Sequence, residues 1–196
     1  MRKFSTLYTL VLVFLTLSAF SQKVKKTNPT VQDLDFLIGK WEITFKIYDT
    51  HNPDSAPVFT EKGWQICEYD MDLNGTPMFI ICKGELKIDS GRNIGRTREI
   101  QESIRYSRFE KSFERIGIYS NWPATGLEIL KYDSTKAKFI IQGQLNVQNN
   151  MLERYMDTYQ FNKDYSYFDR TNIANFSDMP ITVYNLTLKG TGRKMK

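Results

Sequence analysis

From Trp41 onward the chain reads as strand almost without a break, and this confines it to an all-β fold. Candidate strands cover 41–48, 58–70, 77–88, 100–107, 113–121, 127–132, 138–147, 151–161, 166–172 and 181–189. They are rich in Ile, Val, Tyr, Phe and Thr, whose branched or aromatic side chains pack well on a pleated surface. Turn chemistry separates them, as at Asn52-Pro53-Asp54, Asn74-Gly75, Asp89-Ser90-Gly91 and Gln148-Asn149-Asn150. About ten strands spaced in this way predict an antiparallel meander, either barrel or sandwich. Phe139, Ile141, Leu145 and Val147 alternate with Ile140, Gln142, Gln144 and Asn146. Half-buried strands of this kind favour a barrel, because closure removes exposed edges. The stretch 100–116 fits helical spacing and period two alike, and its strand flanks favour strand. No repeat or linker interrupts the chain, so residues 29–196 are expected to form one domain.

The N-terminus predicts export. Arg2 and Lys3 precede an apolar run from Leu7 to Leu17, and Ala19-Phe20-Ser21 offers small residues for cleavage before Gln22. The run is shorter than the ~20 apolar residues of a membrane span, and no Cys follows it to carry a lipid. A signal peptide over 1–21, a loose polar segment over 22–28 and a periplasmic or extracellular destination follow. The formal charge of +5 falls to +3 once Arg2 and Lys3 are removed. That balance does not suggest nucleic acid, and no membrane attachment is expected after cleavage. Arg92, Arg96, Arg98, Arg105, Arg108, Lys111 and Arg115 are interleaved with Glu99, Glu102, Glu110 and Glu114, which reads as a solvated face.

Two cysteines in an exported chain read first as a disulfide. A two-residue hairpin loop at Asn74-Gly75 pairs Leu73 with Thr76 and, counting back along both strands, Cys67 with Cys82. The two would then face each other at a hydrogen-bonded site with Cα atoms ~5.5 Å apart, and Pro77 would open its strand opposite Asp72. Two buried free thiols are the alternative.

Thr30-Val31-Gln32-Asp33 has the form of a helix-capping box, with Leu34, Leu37 and Ile38 on one helical face and Gly39 as terminator. The whole opening, Phe36-Leu37-Ile38-Gly39-Lys40-Trp41 followed by strand, resembles that of calycin-type barrels: lipocalins, and especially secreted bacterial relatives of the nitrobindin-like barrels. Residues 114–132, with Trp122-Pro123-Ala124-Thr125-Gly126 at their turn, are similar to that family's central hairpin, and 139–170 to the meander after it. The resemblance implies an antiparallel up-and-down barrel of about ten strands with a short N-terminal helix covering one end. Gly39 and Trp41 would be its structural opening motif. It also implies a late arginine against Trp41, Arg193 first by position and Arg170 second. Heme-binding members hold iron through a late histidine, whereas the single histidine here, His51, sits after the first strand. No cofactor and no metal are therefore expected.

The chain offers no nucleophile elbow, zinc-ligand spacing or phosphate loop. Two functions fit what it does have. In one, the barrel interior holds a small, largely apolar ligand near Trp64, Tyr119, Trp122, Glu128 and Arg170. In the other, interior Glu, Tyr and Arg groups carry isomerase, cyclase or hydrolase chemistry. The aromatics could equally fill the core. Glu153 and Asp157 share one strand face that is expected to meet solvent. Glu128 points inward if Leu130 and Tyr132 do, and there it needs a partner such as Arg115 or Arg170.

Overall fold

A computed structural model describes residues 28–49, 56–120, 126–146, 152–178 and 182–196. The expected export signal over 1–21, His51 and Trp122 fall outside these residues. Ten strands form one closed antiparallel barrel: β1 (Gly39–Asp49), β2 (Phe59–Met71), β3 (Pro77–Gly91), β4 (Thr97–Ser107), β5 (Ser112–Tyr119), β6 (Leu127–Asp133), β7 (Lys138–Asn146), β8 (Leu152–Phe161), β9 (Tyr167–Asp178) and β10 (Thr182–Lys194). Each strand pairs with its sequence neighbours, and β10 returns to β1. The ambiguous stretch 100–116 is strand, divided between β4 and β5. β10 runs five residues past its expected end at Lys189, through Gly190 and Gly192. A Cβ on either glycine would lie 2.2 Å from the ring of Phe45 or Phe168 respectively, so these glycines mark close packing rather than a strand end.

A 3-10 helix, Val31–Leu37, precedes β1, and the Asp33 carboxylate accepts a hydrogen bond from the Thr30 N–H at 2.9 Å. The helix stops at Leu37, and Gly39 turns the chain into β1 at φ +119°, where a side chain is disfavoured. Trp41 is 2% exposed and donates its Nε1–H to the Leu37 carbonyl at 2.9 Å, which ties the helix to the first strand. Phe36 packs against Tyr132, Phe161 and Tyr165, with ring centroids 4.8–4.9 Å apart. Together with Phe139, Phe161 and Phe168 these groups form an aromatic plug that closes one end of the barrel. The cation beside Trp41 is Lys194, its Nζ 5.5 Å from the ring, and not Arg193. Arg193 is exposed opposite Glu42, one residue out of phase with the interior.

Cys67 and Cys82 form a disulfide, with Cα atoms 4.0 Å apart. That spacing is closer to a non-hydrogen-bonded pair than to the expected hydrogen-bonded one. The turn also differs from the expected two-residue loop. Asp72 pairs with Thr76 and Gly75 adopts φ +76°, so the loop holds one extra residue. A bulge after Pro77 then restores the register: Met71 faces Pro77, Asp70 faces Phe79, and Cys67 meets Cys82. Pro77 accordingly lies opposite Met71 and not Asp72. The bridge spans 15 residues, so replacing both cysteines with serine is expected to cost about 3 kcal/mol through a freer unfolded chain. Urea denaturation of oxidised protein and the double variant reads this directly; a loss below ~1 kcal/mol would contradict it.

Candidate functional site

Above the aromatic plug lies a cavity of about 480 Å³, within the range typical of small-molecule sites. Exposed Arg92, Asn93 and Arg96, from the β3–β4 turn, stand at its lip. One wall is apolar, built by Ile47, Phe59, Ile88, Leu186 and Leu188. The other wall and the floor carry charge, and strand alternation puts it there. In β4 the inward parity of Ile100 and Ile104 carries Arg98 and Glu102 with it. In β8 the parity of Tyr155 and Phe161 carries Glu153 and Asp157.

Glu153 and Asp157 are therefore buried, at 8% and 0% exposure, and not on the solvent face expected from their spacing. The mixed-charge run 92–115 is likewise not a single solvated face. Arg98, Glu102 and Arg115 point inside and Arg92 and Arg96 reach the lip, whereas Arg105 pairs with Glu114 outside.

The floor is organised around three guanidinium groups. Arg115 donates its Nε–H to Glu128 and its Nη1–H to Glu102, the latter at 3.1 Å. Glu102 also accepts from Tyr119 at 2.8 Å and Gln65 at 3.1 Å, and Glu128 accepts from the Tyr155 hydroxyl. Arg170 holds Asp157 through Nε, at 2.9 Å and 3.0 Å from the two carboxylate oxygens. Its planar group lies 4.6 Å from the Phe45 ring and 5.0 Å from that of Tyr159, a cation–π sandwich. Arg98 pairs with Glu61. Gly143 makes room for this arrangement, since a Cβ there would come within 2.3 Å of the Tyr155 phenol.

Burial acts on each group differently. It pushes the Glu102 carboxyl up, but Arg115 and then Arg170 outweigh it and hold the group below its ordinary value. At Glu61 burial wins over Arg98 and the carboxyl titrates above its usual range. Burial, then the neighbouring Glu128 charge, raises the Tyr155 phenol, so Tyr155 keeps its proton and serves as a donor. Among the described residues no group of His, Cys, Asp and Glu is placed to hold a metal ion.

Of the five residues expected to meet a ligand, Tyr119, Glu128 and Arg170 come together at the cavity. Trp64 does not. It is 39% exposed on the outer face with Lys40 over its ring at 5.6 Å, because Glu61, Gln65 and Cys67 take the inward parity of β2. Glu128 has its partner in Arg115 rather than Arg170. Glu61, Arg98, Glu102 and Asp157 complete the polar floor, and sequence reasoning missed them.

The fold is lipocalin-like. No protein-family model and no curated protein matches the chain. Among solved structures it is similar to the S-type phycobiliprotein lyase CPES from Guillardia theta, with a TM-score of 0.56 and 12% identity over 86% of this chain and 94% of that one. It is also similar to Rv2717c from M. tuberculosis, with a TM-score of 0.54 and 13% identity over 85% of this chain and 97% of that one. At such identities the likeness is one of fold.

Proposed function

We propose that this barrel is an exported binding protein for a small amphipathic molecule held in the cavity. The observation that carries the reading is the contrast between the two sides of the cavity: Ile47, Phe59, Ile88, Leu186 and Leu188 from β1, β2, β3 and β10 on one, and charged groups from β4, β5, β6, β8 and β9, with Glu61 of β2, on the other. A few fixed polar groups in an otherwise apolar cleft orient a ligand, so a purely apolar ligand fits less well than an amphipathic one. The likeness to a phycobiliprotein lyase supports this at the level of fold alone.

A neutral fluorescent probe, N-phenyl-1-naphthylamine, tests it. Saturable enhancement at one probe per chain is expected, and Ala174→Phe should weaken it at least tenfold, since Ala174 is a buried cavity-lining residue. Absence of saturable binding to the wild-type protein would overturn the reading. The Cys67–Cys82 bridge supports export, because disulfides persist in oxidising compartments. The exported protein should begin at Gln22 on N-terminal sequencing, and an intact Met1 terminus on membrane-embedded protein would contradict processing.

One observation favours an acid–base enzyme as a second reading: the Arg115–Glu128–Tyr155 line opens onto the cavity. Tyr155→Phe separates the two. A bound compound that is converted by the wild type and only held by the variant would establish catalysis.

A further inference from the structure

We infer that the ligand is an organic acid bound with its apolar body inward and its anionic head at the lip, between Arg92 and Arg96. The inference rests on the cavity being a ligand site and names the chemistry of that ligand. The three interior guanidinium groups are committed: Arg98 to Glu61, Arg115 to Glu102 and Glu128, and Arg170 to Asp157. The lip differs. Arg92 and Arg96 line the same cavity, and among the described residues their guanidinium groups make no ion pair or hydrogen bond. Arg98, next inward on the same parity, keeps a buried Nε–H with no acceptor. Two uncommitted cationic forks thus border the mouth, with one spare buried donor of Arg98 beneath them, and a fork of N–H donors suits a carboxylate or similar anion.

The turn that carries the lip is tied to the barrel. The Arg92 N–H donates to the Val58 carbonyl at 2.9 Å, the Gly95 N–H to the Ile88 carbonyl at 2.8 Å, and the Ile88 N–H to the Arg96 carbonyl at 2.9 Å. Positive φ angles at Gly91, Asn93 and Gly95 shape this turn. Both arginines therefore project from a braced platform.

The floor sets the direction of insertion. Buried Glu61, Glu102, Glu128, Glu153 and Asp157 outnumber Arg98, Arg115 and Arg170, and the excess persists with Glu153 left out of the count. An anionic head driven to the floor would meet surplus carboxylate charge where the dielectric is low. At the lip it meets arginine, while its body lies against Ile47, Phe59, Ile88, Leu186 and Leu188.

Calorimetric titration with decanoic acid, 1-decanol and decylamine tests this, using the wild type and an Arg92→Gln/Arg96→Gln variant. The acid should bind at least tenfold tighter than the alcohol, with the amine no tighter than the alcohol. The advantage of the acid should shrink with added salt. In the double variant that advantage should vanish while 1-decanol binds as before, which also reports an intact cavity. An alcohol that equals the acid, an acid advantage that survives the double variant, or an amine that binds best would overturn the inference and leave the cavity reading standing. If none of the three compounds binds, the cavity reading itself fails and the head-group assignment falls with it.

Discussion

Asp157→Ala is expected to destabilise the protein by about 3–5 kcal/mol, because it strands the Arg170 guanidinium inside the barrel without its counter-charge. Asp157 is 0% exposed and accepts two contacts from Arg170 Nε, whose guanidinium is held between Phe45 and Tyr159. The arginine cannot swing to water without leaving both rings. Removing both charges should be far milder. Asp157→Leu combined with Arg170→Met replaces the pair by apolar groups, and buried pairs replaced in that way are often neutral or better. The double variant is therefore predicted to recover most of the loss. Urea denaturation of the two single variants and the double, with the disulfide intact, gives the coupling directly. A loss below ~1 kcal/mol for Asp157→Ala, the size seen for exposed pairs, would contradict the buried arrangement.

Trp41→Ala should cost a similar amount, about 3–5 kcal/mol, for a different reason. Trp41 is buried against Phe168 and Phe161, with ring centroids at 5.3 Å and 6.2 Å, and its indole N–H anchors the helix through the Leu37 carbonyl. Truncation leaves a void in the plug and releases the helix that covers it. Amide exchange over Val31–Leu37 should then quicken along with the global loss. Trp64→Ala is the matched control. Trp64 lies on the outer face at 39% exposure, and its removal should change stability by no more than ~0.5 kcal/mol. Equal losses for the two tryptophans would contradict the plug.

The barrel was legible because two signals agreed in most segments: period-two patterning along the strands and Gly, Asn, Asp or Pro between them. The Cys67–Cys82 pairing was legible for a partly accidental reason. The hairpin loop is one residue longer than Asn74-Gly75 alone suggests, and the bulge after Pro77 cancels the difference. Parity was the harder quantity. Arg193 and Lys194 are both late cations, and the one opposite Trp41 is a single residue further along. Glu153 and Asp157 looked solvent-facing because carboxylates usually are, yet Tyr155, Tyr159 and Phe161 share their parity and mark that face as interior. Trp64 erred the other way: a large aromatic suggested the inside, while Cys67 on the opposite parity already marked the inward face of β2. The ion-pair floor lay beyond sequence reading, because its members come from β2, β4, β5, β6, β8 and β9 and only closure of the barrel brings them together.

A cavity that holds a small amphipathic molecule should still be filled when the protein is isolated gently. Native mass spectrometry of the protein isolated undenatured from the cells that make it, beside its Ala174→Phe variant, tests that most directly. A non-covalent adduct of small-molecule mass is expected on the wild type, strongly depleted on the variant and recovered as free ligand on unfolding. A bare polypeptide mass for both, with N-phenyl-1-naphthylamine added in excess also leaving no adduct on the wild type, would contradict it.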